Sequence, residues 1–209
     1  MTMRATRSRS AAPQTRLLSW LKRRSAACPL LTGESGVAAI EFSLILPILV
    51  VLWIGGVEVT GALSVDRRLN NLTSSVGDLV ARDKRLTFAE VNDIFVIAPG
   101  AMFPYSGTGI SMRVSAVNVD AAKNAKVAWS RAEGSETAYA AEFSVNSLIA
   151  ENLRVPDTQI IMSEVYYTYR PAIGYVITGD LELEDRMFFV PRLVDAVELC
   201  DDDGKNCQS

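Results

Sequence analysis

Residues 36–57 read Gly36-Val37-Ala38-Ala39-Ile40-Glu41-Phe42-Ser43-Leu44-Ile45-Leu46-Pro47-Ile48-Leu49-Val50-Val51-Leu52-Trp53-Ile54-Gly55-Gly56-Val57. From Phe42 to Val57 sixteen residues carry no charge. As a helix that run covers about 24 Å, against a bilayer core of about 30 Å. Extending it back to Val37 takes in Glu41, and extending it forward takes in Glu58. The expected element is therefore a transmembrane helix over residues 37–61 with polar ends. Pro47 lies inside it and is expected to kink it, a feature membrane helices tolerate.

The flanks give the helix a direction. Residues 1–36 hold seven basic side chains (Arg4, Arg7, Arg9, Arg16, Lys22, Arg23, Arg24) against one acid, Glu34, while the whole chain has a net charge of −3. The acidic excess therefore lies beyond the apolar run. A basic head before a span and an acidic body after it place the head in the cytoplasm and the body across the membrane. In a bacterial envelope this means a single-pass inner-membrane protein with a periplasmic C-terminal domain. A cleaved secretory signal is the rival reading. Its positive region is normally short, and Thr60-Gly61-Ala62 makes a poor cleavage site, so a retained anchor fits better. The head, rich in Arg, Ser, Ala and Pro, reads as disordered. Within it, Leu17-Leu18-Ser19-Trp20-Leu21 is either a short interfacial helix or a stretch with no fixed shape.

Beyond the span, Val65, Leu69, Leu72, Val76 and Leu79 step by four, three, four and three, a stripe on one helical face. The stripe packs on the chain's own sheet, on neighbouring subunits, or on both. Thr87-Phe88-Ala89-Glu90 has the form of a capping box opening a second, short helix to about Ile97, ended by Pro99-Gly100. Ile110, Met112 and Val114 then alternate with Ser111, Arg113 and Ser115, a strand with one face in solvent. Lys126–Ser130 reads as its antiparallel partner, and Gln159–Tyr169 as a third strand. Leu148–Leu153 suggests a short helix. Ile173–Ile177 and Arg186–Val190 are weaker strand candidates around an acidic link, Asp180–Asp185. The expected class is α+β: a long N-terminal transmembrane and amphipathic helix, then a small antiparallel β-sheet domain with short helices. The expected divisions are a leader (1–36), the span (37–61), a helical stem and short helix (62–98) and a periplasmic domain (99–209).

Chemistry is sparse. Histidine is absent, which removes His-based triads, general bases and metal ligands. No Gly-rich phosphate loop precedes a helix, and the three cysteines lack paired C-x-x-C spacing. The expectation is no enzyme, no cofactor, no metal and no small-molecule substrate. The acids at Asp180–Asp185 and Asp201–Asp203 either bind Ca²⁺ or, more commonly for such runs, are solvated loops. An acidic body does not suit a phosphate backbone, so nucleic acid is not an expected partner. Cys200 and Cys207 flank a turn-rich segment and, if exported, either form a disulfide or stay as two thiols on a frayed tail.

Glu41 stands out. A carboxylate near the centre of a membrane helix costs about 2.5–3.5 kcal/mol on insertion scales, so it should have a partner or a purpose. Gly36, five residues earlier, leaves a backbone that a protease cleft can approach. The bland alternative is an acid at headgroup level beside Arg23 or Arg24.

The pattern Gly-x-x-x-x-Glu resembles the processing site of type IV prepilins and pseudopilins. The wider string from Gly36 through Glu41-Phe42 to Pro47 is similar to the opening of the TadE/TadG-like proteins of tight-adherence (Flp) pilus systems. Val165-Tyr166-Tyr167-Thr168-Tyr169-Arg170-Pro171 and Met187-Phe188-Phe189-Val190-Pro191-Arg192 resemble the same family more loosely. The resemblance implies cleavage by a prepilin peptidase between Gly36 and Val37, which makes Glu41 the fifth residue of the mature chain. It implies that Glu41 then pairs with the new amine of Val37 on a neighbouring subunit, with Phe42 beside it. The implied partners are the lipid bilayer, the peptidase and other pilus assembly subunits. Three roles remain open at this point: a minor pseudopilin, an unprocessed inner-membrane scaffold of the same machinery, and a membrane-tethered binding domain unrelated to pili.

Overall fold

Helix α1 runs without interruption from Ser35 to Arg82, 48 residues and about 72 Å, in the computed structural model, which describes residues 35–209. The basic head, with Cys28, Leu17–Leu21, Arg23 and Arg24, lies outside the described residues. Among the described residues one helix, α1, is long and apolar enough to cross a membrane, which suggests a single-pass membrane protein. The helix continues through Pro47. In its middle the hydroxyls of Thr60 and Ser64 donate to the carbonyls of Gly56 and Thr60, each at 2.7 Å, so these polar groups are satisfied within the helix itself.

The chain divides into two units, the first ending at Val51 and the second running from Leu52 to Ser209. In the first, α1 exposes Val37, Ile40, Phe42, Leu44, Ile45 and Ile48 all around its circumference, the pattern of a helix solvated by lipid.

In the second unit, α1 is followed by β1 (Arg85–Thr87), α2 (Phe88–Ile97), β2 (Ile110–Val119), β3 (Ala125–Glu133), β4 (Thr158–Tyr169), β5 (Leu181–Phe189), β6 (Glu198–Cys200) and β7 (Cys207–Gln208). The main sheet is antiparallel with strand order β3-β2-β4-β5. A small second sheet pairs β1 with β6 in parallel and β6 with β7 antiparallel. The architecture is α+β, as the periodicities indicate. Thr87 opens α2 with a full capping box: its hydroxyl accepts from the Glu90 amide while the Glu90 carboxylate accepts from the Thr87 amide.

One face of the main sheet packs on α1. Val65, Leu69, Leu72, Val76 and Val80 meet Met112, Val114, Ile161 and Val165 in one core, with Trp129 closing its edge. The Trp129 indole N–H donates to the Val197 carbonyl at 2.9 Å, the partner a buried indole needs. Leu79 is half exposed, and Val80 takes the core position instead. A straight helix drifts from a strict 3.5-residue repeat, so by the fourth turn the inward position has moved on by one residue. At Gly77 a Cβ would collide with the Phe189 ring.

The other face of the sheet is covered as well. The segment between β3 and β4 lays Tyr139, Val145, Leu148 and Ile149 over Val117, Val127, Ile160 and Met162. Ser111, Arg113 and Ser115, expected to face solvent, are therefore buried. Three further expectations change. Leu148–Leu153 holds a single 3-10 turn, Glu151–Leu153, rather than a helix. Asp180–Asp185 is not a link: Leu181–Phe189 is one strand whose Glu182 and Glu184 point outward by simple alternation. Ile173–Ile177 is a loop and not a strand, because its amides are taken by a side chain, as described next.

Candidate functional site

Gly36, Val37, Glu41 and Phe42 occupy the first two turns of α1. Gly36 is half-buried, and Val37, Glu41 and Phe42 are exposed.

A second acid on the same helix is placed very differently. Glu58 is 3 % exposed, although Val57 and Val59 on either side are about half exposed. Its carboxylate accepts three backbone N–H groups from one loop: Tyr175 to Oε1 at 2.8 Å, Val176 to Oε2 at 3.0 Å and Ile177 to Oε2 at 2.7 Å. Successive amides converging on one anion form a nest, made possible here by the positive φ of Gly174. The loop closes at its neck through a bidentate pair, Arg170 Nε and Nη2 donating to Asp180 Oδ1 and Oδ2 at 2.9 and 3.0 Å. Val176 also rests against the helix at Gly55.

On the sheet face turned away from α1, Arg113, Glu164 and Arg186 stand side by side on β2, β4 and β5 in direct register. The Glu164 side chain is fully buried. It accepts from Arg113 Nε and Arg186 Nε, both at 2.7 Å. Arg113 extends the row to Glu136 Oε2 and the Thr137 carbonyl, and its guanidinium lies over the Tyr139 ring at 4.0 Å. Burial opposes ionisation of Glu164, but the hydrogen bonds from the two arginines outweigh it and hold the carboxyl below its ordinary value. Burial, and then the Glu164 charge, push the neighbouring Tyr166 phenol up to about 12. Each charged side chain of this row has an ion-pair partner. The row's geometry fixes the register of three strands.

At the C-terminal end, Cys200 and Cys207 are joined by a disulfide across the β6–β7 turn. Asp201 staples the same turn by accepting from the Lys205 and Asn206 amides and the Asn206 side chain. Asp202 accepts from the Ala89 amide at 2.8 Å, capping the start of α2. These acids thus hold backbone.

Of the residues singled out in the sequence, Gly36, Val37, Glu41 and Phe42 share one helix end. Val65, Leu69, Leu72 and Val76 lie in the core, and Leu79 lines a shallow apolar cleft between α1 and α2 with Ile94 and Ile97. Sequence reasoning missed the Glu58 nest and the Arg113–Glu164–Arg186 row. The available signal for the first was an acid directly after an apolar run. For the second it was one charged residue inside each of three strand-like segments.

The family model described as TadE-like protein matches residues 36–77. The matched stretch starts at Gly36, contains Glu41, Phe42, Pro47 and Glu58, and ends at Gly77, where α1 meets Phe189. The match accords with the resemblance drawn from the sequence and suggests a component associated with tight-adherence pili. No curated protein and no solved structure matches the chain.

Proposed function

We propose that the chain is a minor pseudopilin-like subunit of a tight-adherence type IVb pilus system, held in the inner membrane by α1 with its α+β domain in the periplasm. The observation that carries this is the placement of Gly36 and the exposed Glu41 in the first two described turns of an apolar helix, inside the stretch that the TadE-like model matches. A prepilin peptidase cuts between Gly36 and Val37, and the new Val37 amine neutralises Glu41 of a neighbouring subunit. In a low-dielectric bundle such pairing removes the cost of two isolated charges. The role is structural and not catalytic, and the partners are lipid, the peptidase and other assembly subunits.

The test is complementation of a deletion strain with wild-type protein or with Glu41→Gln, scored by surface adherence and by recovery of the protein with sheared pili. Wild type restores both. Glu41→Gln inserts in the membrane at wild-type levels but fails to restore adherence. Full rescue by Glu41→Gln, or an absence of any adherence defect on deletion, refutes the reading. An unprocessed scaffold of the same machinery is separated from it by the mature N-terminus: the scaffold keeps its leader.

A further inference from the structure

The loop 171–179 reads Pro-Ala-Ile-Gly-Tyr-Val-Ile-Thr-Gly, nine residues without a charge. It has no strand partner, and it turns three large apolar side chains outward: Ile173 (53 % exposed), Tyr175 (64 %) and Val176 (47 %). In water such a tip is unfavourable and tends to be lost to a partner surface. Two devices hold it in place. The Arg170–Asp180 pair neutralises the charges at its neck, and the Glu58 carboxylate binds its central amides. The Glu58 contacts place the tip beside the helix segment Gly55–Glu58, where the uncharged run of α1 ends. On and around that segment Leu52, Trp53, Val57 and Val59 are themselves exposed.

We propose that loop 171–179 is a second membrane contact: Ile173, Tyr175 and Val176 enter the headgroup and upper acyl region of the leaflet on the C-terminal side of the span. The occupant of this surface is the phospholipid bilayer, because the loop lies against Gly55, beside the exposed apolar Leu52, Trp53 and Val57 of the same helix. A tyrosine between aliphatic side chains, at the end of a span, is the composition that membrane interfaces favour. The Glu58 nest then has a clear purpose. It satisfies three amides that would otherwise enter the interface unpaired, which apolar surroundings penalise.

The inference rests on the single-pass reading of α1, and the experiment separates the two. Full-length Cys28→Ser protein, with the Cys200–Cys207 disulfide intact, receives one nitroxide at Tyr175→Cys, Leu46→Cys or Ala141→Cys. Each is reconstituted in phosphatidylethanolamine/phosphatidylglycerol vesicles. Collision with oxygen, which favours lipid, is compared with collision with a water-soluble nickel chelate. The expected result is lipid exposure at Leu46, water exposure at Ala141, and an intermediate, oxygen-favouring value at Tyr175. A Tyr175 label matching Ala141 while Leu46 reads lipid overturns the proposal and leaves the anchor standing. A Tyr175 label shielded from both reagents also overturns it, since the loop is then covered by protein. Water exposure at Leu46 removes the anchor reading and the inference together.

Discussion

Changing Glu164 to Gln keeps the shape of the side chain and removes the one charge that two buried arginine contacts share. In the native protein each guanidinium donates to Glu164 at 2.7 Å. Removing one partner of a buried ion pair costs about 3–5 kcal/mol, because the other is left uncompensated. Here Arg113 keeps Glu136 and Arg186 keeps Glu184, and a Gln oxygen still accepts one hydrogen bond, so the lower end, about 3 kcal/mol, is expected. Against a domain stability of about 5–15 kcal/mol that is a large loss. It lowers the melting temperature by about 6–12 °C for a chain of this size. Urea unfolding of the full chain in detergent, followed by the near-UV signal of the packed aromatics, reads it directly. The triple change Arg113→Met, Glu164→Leu, Arg186→Met removes the three charges in register, leaves the partly exposed Glu136 and Glu184 to water, and should recover most of the loss. The effect also depends on pH. Because the native carboxyl is held below its ordinary value of 4.5, its contribution is complete above that value and is lost as pH falls through the lower, native one. The gap between wild type and Glu164→Gln therefore closes in acid. A cost below about 1 kcal/mol at pH 7, the size of an exposed pair, would refute the argument that this row sets the register of the sheet.

Other perturbations test other links. Gly77→Ala drives a methyl group into the Phe189 ring and should cost about 1–3 kcal/mol by overpacking, read as a shift in urea midpoint. Thr87→Ala removes the hydroxyl cap of α2 and should cost about 1 kcal/mol. Replacing Cys200 and Cys207 by Ser opens a loop of seven-residue separation and should cost up to about 2.5 kcal/mol on the chain-entropy model; a reducing agent should bring the wild type down to the same midpoint. Glu58→Leu frees the amides of Tyr175, Val176 and Ile177, which should then exchange hydrogen faster in detergent while the β2 amides do not change.

The elements that rest on local pattern were readable in the sequence: a long apolar helix, a capped short helix opened by Thr87, and strands at Ile110, Lys126 and Gln159. Each is set by residues within one or two turns of each other. What could not be read depends on contacts made far along the chain. Glu58 and the amides it binds are separated by 117 to 119 residues, and nothing in the neighbourhood of either announces the other. Arg113 alternates with Met112 and Val114 as a solvent-facing residue would. Only the cover formed by residues 134–155, together with Glu164 in register beside it, makes that position buried. The acidic run Asp180–Asp185 misleads for a related reason. Glu182 and Glu184 are the outer face of an edge strand, where charge is favoured because it discourages further pairing. At the head of α1 the situation is reversed. Gly36 and Glu41 are five residues apart, so their spacing is visible in the sequence, and the family match begins at the same glycine.

The intact mass of the protein extracted from membranes of cells with and without the prepilin peptidase bears most directly on the proposed role. The account predicts a mature chain beginning at Val37 when the peptidase is present, a chain that keeps its leader when it is absent, and failure of cleavage after Gly36→Trp. A leader retained in the presence of an active peptidase would contradict it.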